Sequence, residues 1–250
     1  MGRLTSTGDS SLSVNGGVEF VVPAHNEAER LATSIIPHLE YFDGVAIFSV
    51  AMDHCTDDTA AVVEELHSRY PHVSSYEVEG PQGKGSAVLE GLKRSRESIV
   101  GFMDADCPTP PAEMARLVER LDGADGAIGS RYLPLSLIAS PRDLLRTGAS
   151  RALNVSVRSL FRLPYRDTQC GAKVFRRERI EPVLDEIETT NWLFDLDLLL
   201  RAREHGLKIE EVPIIWREER GSHLDVIGFA PEALRTLIRL KSSLDRAHPS

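Results

Sequence analysis

The chain has few cysteines, few aromatics and no long apolar run, and each shortage removes a class of protein. Three cysteines in 250 residues, Cys55, Cys107 and Cys170, are odd in number, far apart and in no metal-ligand spacing. That excludes a disulfide framework and points to free thiols in a reducing, cytoplasmic compartment. No apolar stretch approaches the roughly 18 residues that a membrane-spanning helix needs. Residues Met1 to Gly16 are rich in Ser, Thr and Gly and lack the apolar core of a signal peptide, so 1–16 read as a disordered lead-in. Aromatics make up 6% and the net charge is −9. This balance argues against a nucleic-acid partner, whose binding surface is basic and interleaved with aromatic rings.

The charge is unevenly spread. Between Arg131 and Ile180 eleven Lys/Arg stand against three acids, a segment of +8 that leaves −17 on the other 200 residues. Ten of the eleven are Arg, the residue suited to bidentate phosphate contacts, although a charge run is also the ordinary make-up of a solvated helix face. The first half alternates apolar strands with amphipathic helices. Strands are expected at 18–22, 44–50, 73–78, 99–103 and 126–129, with helices near 27–36, 56–67, 85–95 and after Pro110-Pro111. Pro37 is expected to end or kink the first helix. Such alternation predicts an α/β fold with a mostly parallel central sheet flanked by helices. The second half is less regular, with helices expected over 144–161, 194–204 and 231–244 and strands over 172–175 and 209–216. Residues 17–250 read as one domain, a nucleotide-binding half to about 130 and an acceptor-binding half from about 131.

Asp104-Ala105-Asp106 closes the apolar run Ile99 to Met103. Two carboxylates one residue apart at the C-terminal end of a buried strand lie where open α/β sheets bind ligands. They suit a hard divalent cation that also binds substrate phosphates; two solvated loop aspartates are the plainer reading of such a pair. Pro23 to Glu27 ends the first strand and opens a helix, leaving backbone N–H groups for an anion. Gly83-Lys84-Gly85 is a turn whose glycines permit close approach and whose Lys reaches a phosphate. It lacks the full spacing of a P-loop.

These blocks, in order, resemble glycosyltransferase family 2 with the GT-A fold, and among its members the polyprenyl-phosphate sugar synthases of the dolichyl-phosphate mannose or glucose type. The likeness spans about Glu19 to Arg246. It rests on Val21 to Glu27, Met52 to Thr59, Gly83 to Ala87, Met103 to Asp106, Gly129 to Tyr132, Asp167 to Lys173, Phe194 to Leu199, and Trp216-Arg217-Glu218 with Gly221-Ser222. It implies a nucleoside-diphosphate sugar donor, UDP or GDP, with Pro23, Ala24 and Glu27 around the base and ribose. It further implies Asp53 at the base edge, Lys84 at the diphosphate, and Asp104, Ala105 and Asp106 at a diphosphate-bridging Mg2+ or Mn2+. Two departures stand out: Met52 replaces the first of two adjacent acids, and Pro108 replaces a polar residue often found two places beyond the second Asp. His223, where the dolichyl-type pattern usually has Lys, is a candidate third metal ligand.

For the acceptor the resemblance implies a phosphate cradle of Arg131, Ser150 and Arg151, with Arg146 a further contact, and Asp167, Gln169 and Trp192 lining the pocket. A polyprenyl phosphate is largely dianionic and attacks without a general base. A soluble hydroxyl acceptor, such as a small metabolite, needs one, and Asp197 or Asp195 is the candidate; each is also an ordinary helix N-terminal acid. Lys173 reads as surface charge. Nucleotidyl transfer shares the strand-then-acid layout, but the Gly-rich opening that chemistry uses is missing after the first strand. The C-terminal helix, with Leu234, Leu237, Ile238 and Leu240 among Arg235, Arg239 and Lys241, either packs on its own core or lies peripherally on anionic lipid.

Overall fold

The computed structural model describes residues 16–138, 154–217 and 230–247. Apolar runs form strands β1 (Val18–Ala24), β2 (Ala46–Met52), β3 (Val73–Glu77), β4 (Ile99–Phe102) and β5 (Gly126–Ser130). Between them lie helices α1 (Leu31–Phe42), α2 (Thr59–Arg69), α3 (Lys84–Arg94) and α4 (Pro111–Glu119). A short β6 (Leu137–Ile138) follows, then helical residues 154–161 (α5). After them come β7 (Lys173–Arg176), α6 (Arg177–Leu184), α7 (Phe194–Glu204), β8 (Ile209–Pro213), β9 (Ile215–Trp216) and α8 (Ala230–Ala247).

The central sheet has seven strands in the order β3-β2-β1-β4-β7-β5-β8, and β6 pairs with β9 in a second sheet. All neighbours in the large sheet are parallel except β7, which runs antiparallel to both β4 and β5. The chain leaves β1 towards β2 and β3, then returns to β4 on the other side of β1. A crevice therefore opens between the C-terminal ends of β1 and β4, the topological switch point where such sheets take ligands.

Period-2 alternation decides which face each strand residue covers. Phe20, Val22 and Ala24 of β1 pack with Phe48 and Val50 of β2 against α1, α2 and α4. Val21, Ala51, Val100 and Phe102 meet α3, α6 and α7 on the opposite face. Helix α7 is buried from Phe194 to Ala202 because it lies between that face and an outer layer. Its Phe194 and Leu198 turn to the sheet-side cluster, and its Leu196, Leu199 and Leu200 to α5 and α8.

Three expectations are corrected. Pro37 does not end the first helix but lies inside α1; the helix starts at Leu31, later than expected, and buries Ile35, Leu39 and Phe42 across the proline, so packing outweighs the missing hydrogen bond. The strand expected over 209–216 is two strands, because β8 pairs with β5 while β9 leaves to pair with β6. Lys173 is not surface charge: it is fully buried at the first position of β7. Of the helix expected over 144–161, only the end from residue 154 lies within the described residues.

Candidate active site

The loops after β1 and β2 are stitched together at one wall of the crevice. Asn26 takes a left-handed conformation, φ 53°, which Asn tolerates better than most residues. Its Oδ1 accepts from Thr56 N at 2.8 Å and Asp57 N at 3.3 Å, so it caps the neighbouring loop instead of its own helix. Asp57 returns the tie by accepting from Ala28 N at 3.1 Å and Thr59 N at 3.0 Å. Thr59 Oγ1 accepts from Glu27 N at 2.9 Å, and Glu27 pairs with Arg30. Asp53, 4% exposed at the end of β2, accepts from His54 Nδ1 and Gly83 N, both at 2.9 Å. His25 donates from Nδ1 to the Asp53 carbonyl, which leaves Nε2 to accept from Gln82 at 3.3 Å.

Asp104 and Asp106 follow β4 on the other wall. Lys84, the first residue of α3, places Nζ 2.6 Å from Asp104 Oδ1 and 3.9 Å from Asp195 Oδ2. Burial disfavours the charge on Lys84, but Asp104 and Asp195 outweigh it and raise its pKa. Burial likewise opposes the Asp104 charge, and Lys84 overcomes it, so the carboxyl stays below its ordinary range. Asp106 has less help: burial and the Asp104 charge push its carboxyl up to about 6. Gly83 has φ 148°. A Cβ at Gly85 would lie 2.6 Å from the Thr190 carbonyl oxygen, so that glycine lets α3 reach the segment before α7.

The two acids of α7 point apart, as neighbours two positions along a helix must. Asp195 faces the cluster, with Lys173 Nζ on Oδ1. Asp197 is fully buried; its Oδ2 accepts from Glu188 N and Thr189 N, both at 3.0 Å, and its Oδ1 lies 3.4 Å from Arg201 Nε. The structure thus brings Asp195 to the Asp104 cluster and commits Asp197 to holding residues 188–189. Trp192, 42% exposed, stands at the mouth with Lys84 Nζ 5.9 Å from its ring centroid.

Arg131, past the end of β5, forms a bidentate pair with buried Asp167: Nε to Oδ2 at 2.7 Å and Nη2 to Oδ1 at 2.9 Å. Its backbone N–H also reaches Oδ2 at 3.0 Å, and its guanidinium stacks 4.9 Å from the Trp216 centroid. Asp167 Oδ1 accepts from Gln169 N at 3.3 Å. Burial works against both ions, yet the Arg131 charge holds Asp167 below the usual carboxylate range. The other expected acceptor and metal residues, Arg146, Ser150, Arg151 and His223, lie outside the described residues.

Residues 19–184 match the model of the family described as glycosyl transferase family 2. The chain belongs to glycosyltransferase family 2. It is 31% identical over 248 residues to glycosyltransferase AglD of Haloferax volcanii, covering 94% of this chain and only 39% of that protein's length. It is also 31% identical to polyprenol monophosphomannose synthase of Mycolicibacterium smegmatis over 204 residues, 79% of this chain and 76% of the relative. Among solved structures it resembles glucosyl-3-phosphoglycerate synthase from Mycobacterium tuberculosis in complex with Mn2+ and UDP-glucose. That match has a TM-score of 0.67 at 21% identity, covering 90% of this chain and 79% of the other. It shows a shared GT-A fold.

Two residues of this family 2 glycosyltransferase were not legible as site residues. Gly171 lies directly under Asp104: a Cβ there would sit 2.1 Å from Asp104 Oδ2. Its place in the Asp167 to Lys173 block was the only signal. His38 of α1 gave none; its Nε2 donates to Thr109 O at 3.0 Å and so ties α1 to the segment after Asp106. Burial lowers the His38 pKa from 6.5, against the pull of its hydrogen bond to Thr109. The fold holds this imidazole neutral while the unfolded chain takes up a proton near 6.5. Stability is therefore lost as pH falls below that value. Thermal melts should show Tm falling as pH is lowered through about 6.5, with His38 contributing to the slope. His38→Gln, which keeps a donor for Thr109, should reduce that slope; an unchanged slope would assign it to other groups.

Proposed function

We propose that this family 2 glycosyltransferase moves a hexose from a nucleoside-diphosphate sugar, UDP or GDP, to a polyprenyl phosphate, with inversion at the anomeric carbon and dependence on Mg2+ or Mn2+. One observation carries the choice of acceptor. Neither carboxylate expected to serve as a base stands free: Asp195 is held by Lys173 and Lys84, and Asp197 by two backbone amides and Arg201. A hydroxyl acceptor needs such a base, whereas a phosphate dianion needs only positioning and charge screening. The name of the mycobacterial relative, a polyprenol monophosphomannose synthase, supports the same reading.

The residues fit a divalent ion. Two carboxylates close in sequence offer hard oxygen donors, and Asp106 carries a charge its surroundings do not fully compensate. Among the described residues no cluster of three or more His, Cys, Asp or Glu could form a closed cage. A pair of carboxylates suits an ion shared with a diphosphate. When bound there, such an ion neutralises charge developing on the leaving nucleoside diphosphate. Asp53, Pro23, Ala24 and Glu27 form the wall proposed for base and ribose, Ala105 lies between the two metal-holding acids, and Lys84 stands by the diphosphate. Arg131, fixed by Asp167 and Trp216, presents a preorganised cation to the acceptor phosphate. The resemblance would add Arg146, Ser150 and Arg151 to that cradle, Gln169 and Trp192 to the acceptor pocket and His223 to the ligands of the ion.

No helix among the described residues is long and apolar enough to cross a membrane. Helix α8 buries Thr236, Leu240 and Leu244 and exposes Leu234 (60%) and Ile238 (59%) beside Arg235 and Arg239, a face suited to peripheral contact with anionic lipid. Asn191 bonds Glu232 and Thr236 of the same helix, which ties α8 to the segment that carries Trp192. Donor turnover should be measured over UDP- and GDP-sugars with Mn2+ or Mg2+, with and without a short-chain polyprenyl phosphate in anionic vesicles. Metal-dependent release of nucleoside diphosphate that rises with the lipid phosphate, and falls with Leu234→Ser/Ile238→Ser on vesicles only, is the expected result. Turnover indifferent to the lipid phosphate would reject it as acceptor and favour a soluble hydroxyl compound.

A further inference from the structure

Charged groups alternate in sign across the candidate site: Asp104 after β4, Lys84 at the start of α3, Asp195 in the first turn of α7 and Lys173 at the start of β7. The two ends of this row are fixed. Asp104 rests against Gly171, where even a methyl group would collide with its carboxylate. Lys173 is fully buried, donates to both the Cys170 carbonyl and Asp195 Oδ1, and lies 5.4 Å from the Phe102 ring centroid. Lys173 thereby pins one oxygen of Asp195 and leaves the other, Oδ2, turned to Lys84. Between these fixed groups Lys84 stands off-centre, 2.6 Å from Asp104 and 3.9 Å from Asp195. Its unbranched side chain is 16% exposed and ends beside the Trp192 ring at the mouth.

We infer that Lys84 is a movable counter-ion that competes with the divalent cation for Asp104 and has Asp195 Oδ2 as its second seat. This rests on the reading that Asp104 and Asp106 hold the ion. An ammonium and a dication in contact with the same carboxylate repel strongly in a site shielded from water, so one must withdraw as the other arrives. The 3.9 Å gap to Asp195 closes by rotation about the lysine side chain alone, with no movement of the backbone. Asp195 and Lys173 are then positioning residues: they keep a carboxylate waiting for the displaced ammonium. The competition weakens binding of the ion by itself. A donor diphosphate relieves it by adding negative charge, so ion and donor bind cooperatively.

The test is Mn2+ binding to the full chain without nucleotide, read from the electron paramagnetic resonance signal of free Mn2+. Lys84→Met should bind Mn2+ about tenfold more tightly than the native chain. Asp195→Asn should weaken binding by about fivefold when Lys84 is present and by little in the Lys84→Met background. Thermal melts check that each variant is folded, and Lys84→Gln serves in place of Lys84→Met if the latter melts early. Unchanged or weaker Mn2+ binding in both Lys84 variants would overturn the inference. So would an Asp195→Asn effect of the same size with and without Lys84, which would make Asp195 a general source of field. The metal-site reading fails by a separate result, Asp104→Asn binding Mn2+ as the native chain does, and that outcome removes the inference with it.

Discussion

Asp104→Asn should lower metal-stimulated donor turnover by about a thousandfold while leaving the fold intact. The amide keeps the shape of the carboxylate and loses its charge. On the proposed site, an ion held by both carboxylates would be left with one anionic protein ligand instead of two. The expected loss corresponds to about 4 kcal/mol of transition-state stabilisation, within the several kcal/mol that charge stabilisation by a bound metal supplies. Asp106→Asn should act in the same direction. Stability should change little in Asp104→Asn, because Lys84 retains Asp195 as a partner at 3.9 Å. The deciding measurement is nucleoside diphosphate release at saturating Mn2+, paired with a thermal melt. An Asp104→Asn enzyme with more than about a tenth of native turnover would place the metal elsewhere.

Lys173→Met should have the largest effect on stability. The side chain is fully buried, so methionine fits the volume but strands the Cys170 carbonyl and leaves the Asp195 carboxylate only the longer 3.9 Å pairing with Lys84. Removing one partner of a buried ion pair costs about 3–5 kcal/mol, which for a chain of this length lowers Tm by roughly 10 °C. The asymmetry between half a pair and none supplies a control. Lys173→Met combined with Asp195→Leu removes the uncompensated charge and should recover much of the lost stability. It should do so without restoring turnover, since the second seat for Lys84 is gone. A Lys173→Met chain melting within about 2 °C of the native one would mean that the Asp195 charge is compensated by other groups.

The same four residues show where a linear reading stops. Strand alternation, the position of Asp104 and Asp106 at a strand end, and the glycines beside Lys84 are local patterns, carried by neighbours in the chain. They were legible, and with them a mostly parallel sheet; the strand order that opens the β1–β4 crevice was not. Asp195 and Asp197, separated by one residue, could not be told apart in role; only the packing of α7 between two layers turns one to the site and the other to the amides of 188–189. Pro37 marks a helix end by local rules, yet the apolar residues on both sides of it are buried in one core.

Taken alone, the order of motifs carried the resemblance to family 2, while strand period and the residue types that end a strand determined a mostly parallel sheet with two acids closing one of its strands. Tertiary structure decided which charges are paired. Lys173 finds Asp195 at a separation of 22 residues and Arg131 finds Asp167 at 36. The cost of burying an ion without a partner, a quantity that exists only after the chain has packed, selects those pairs.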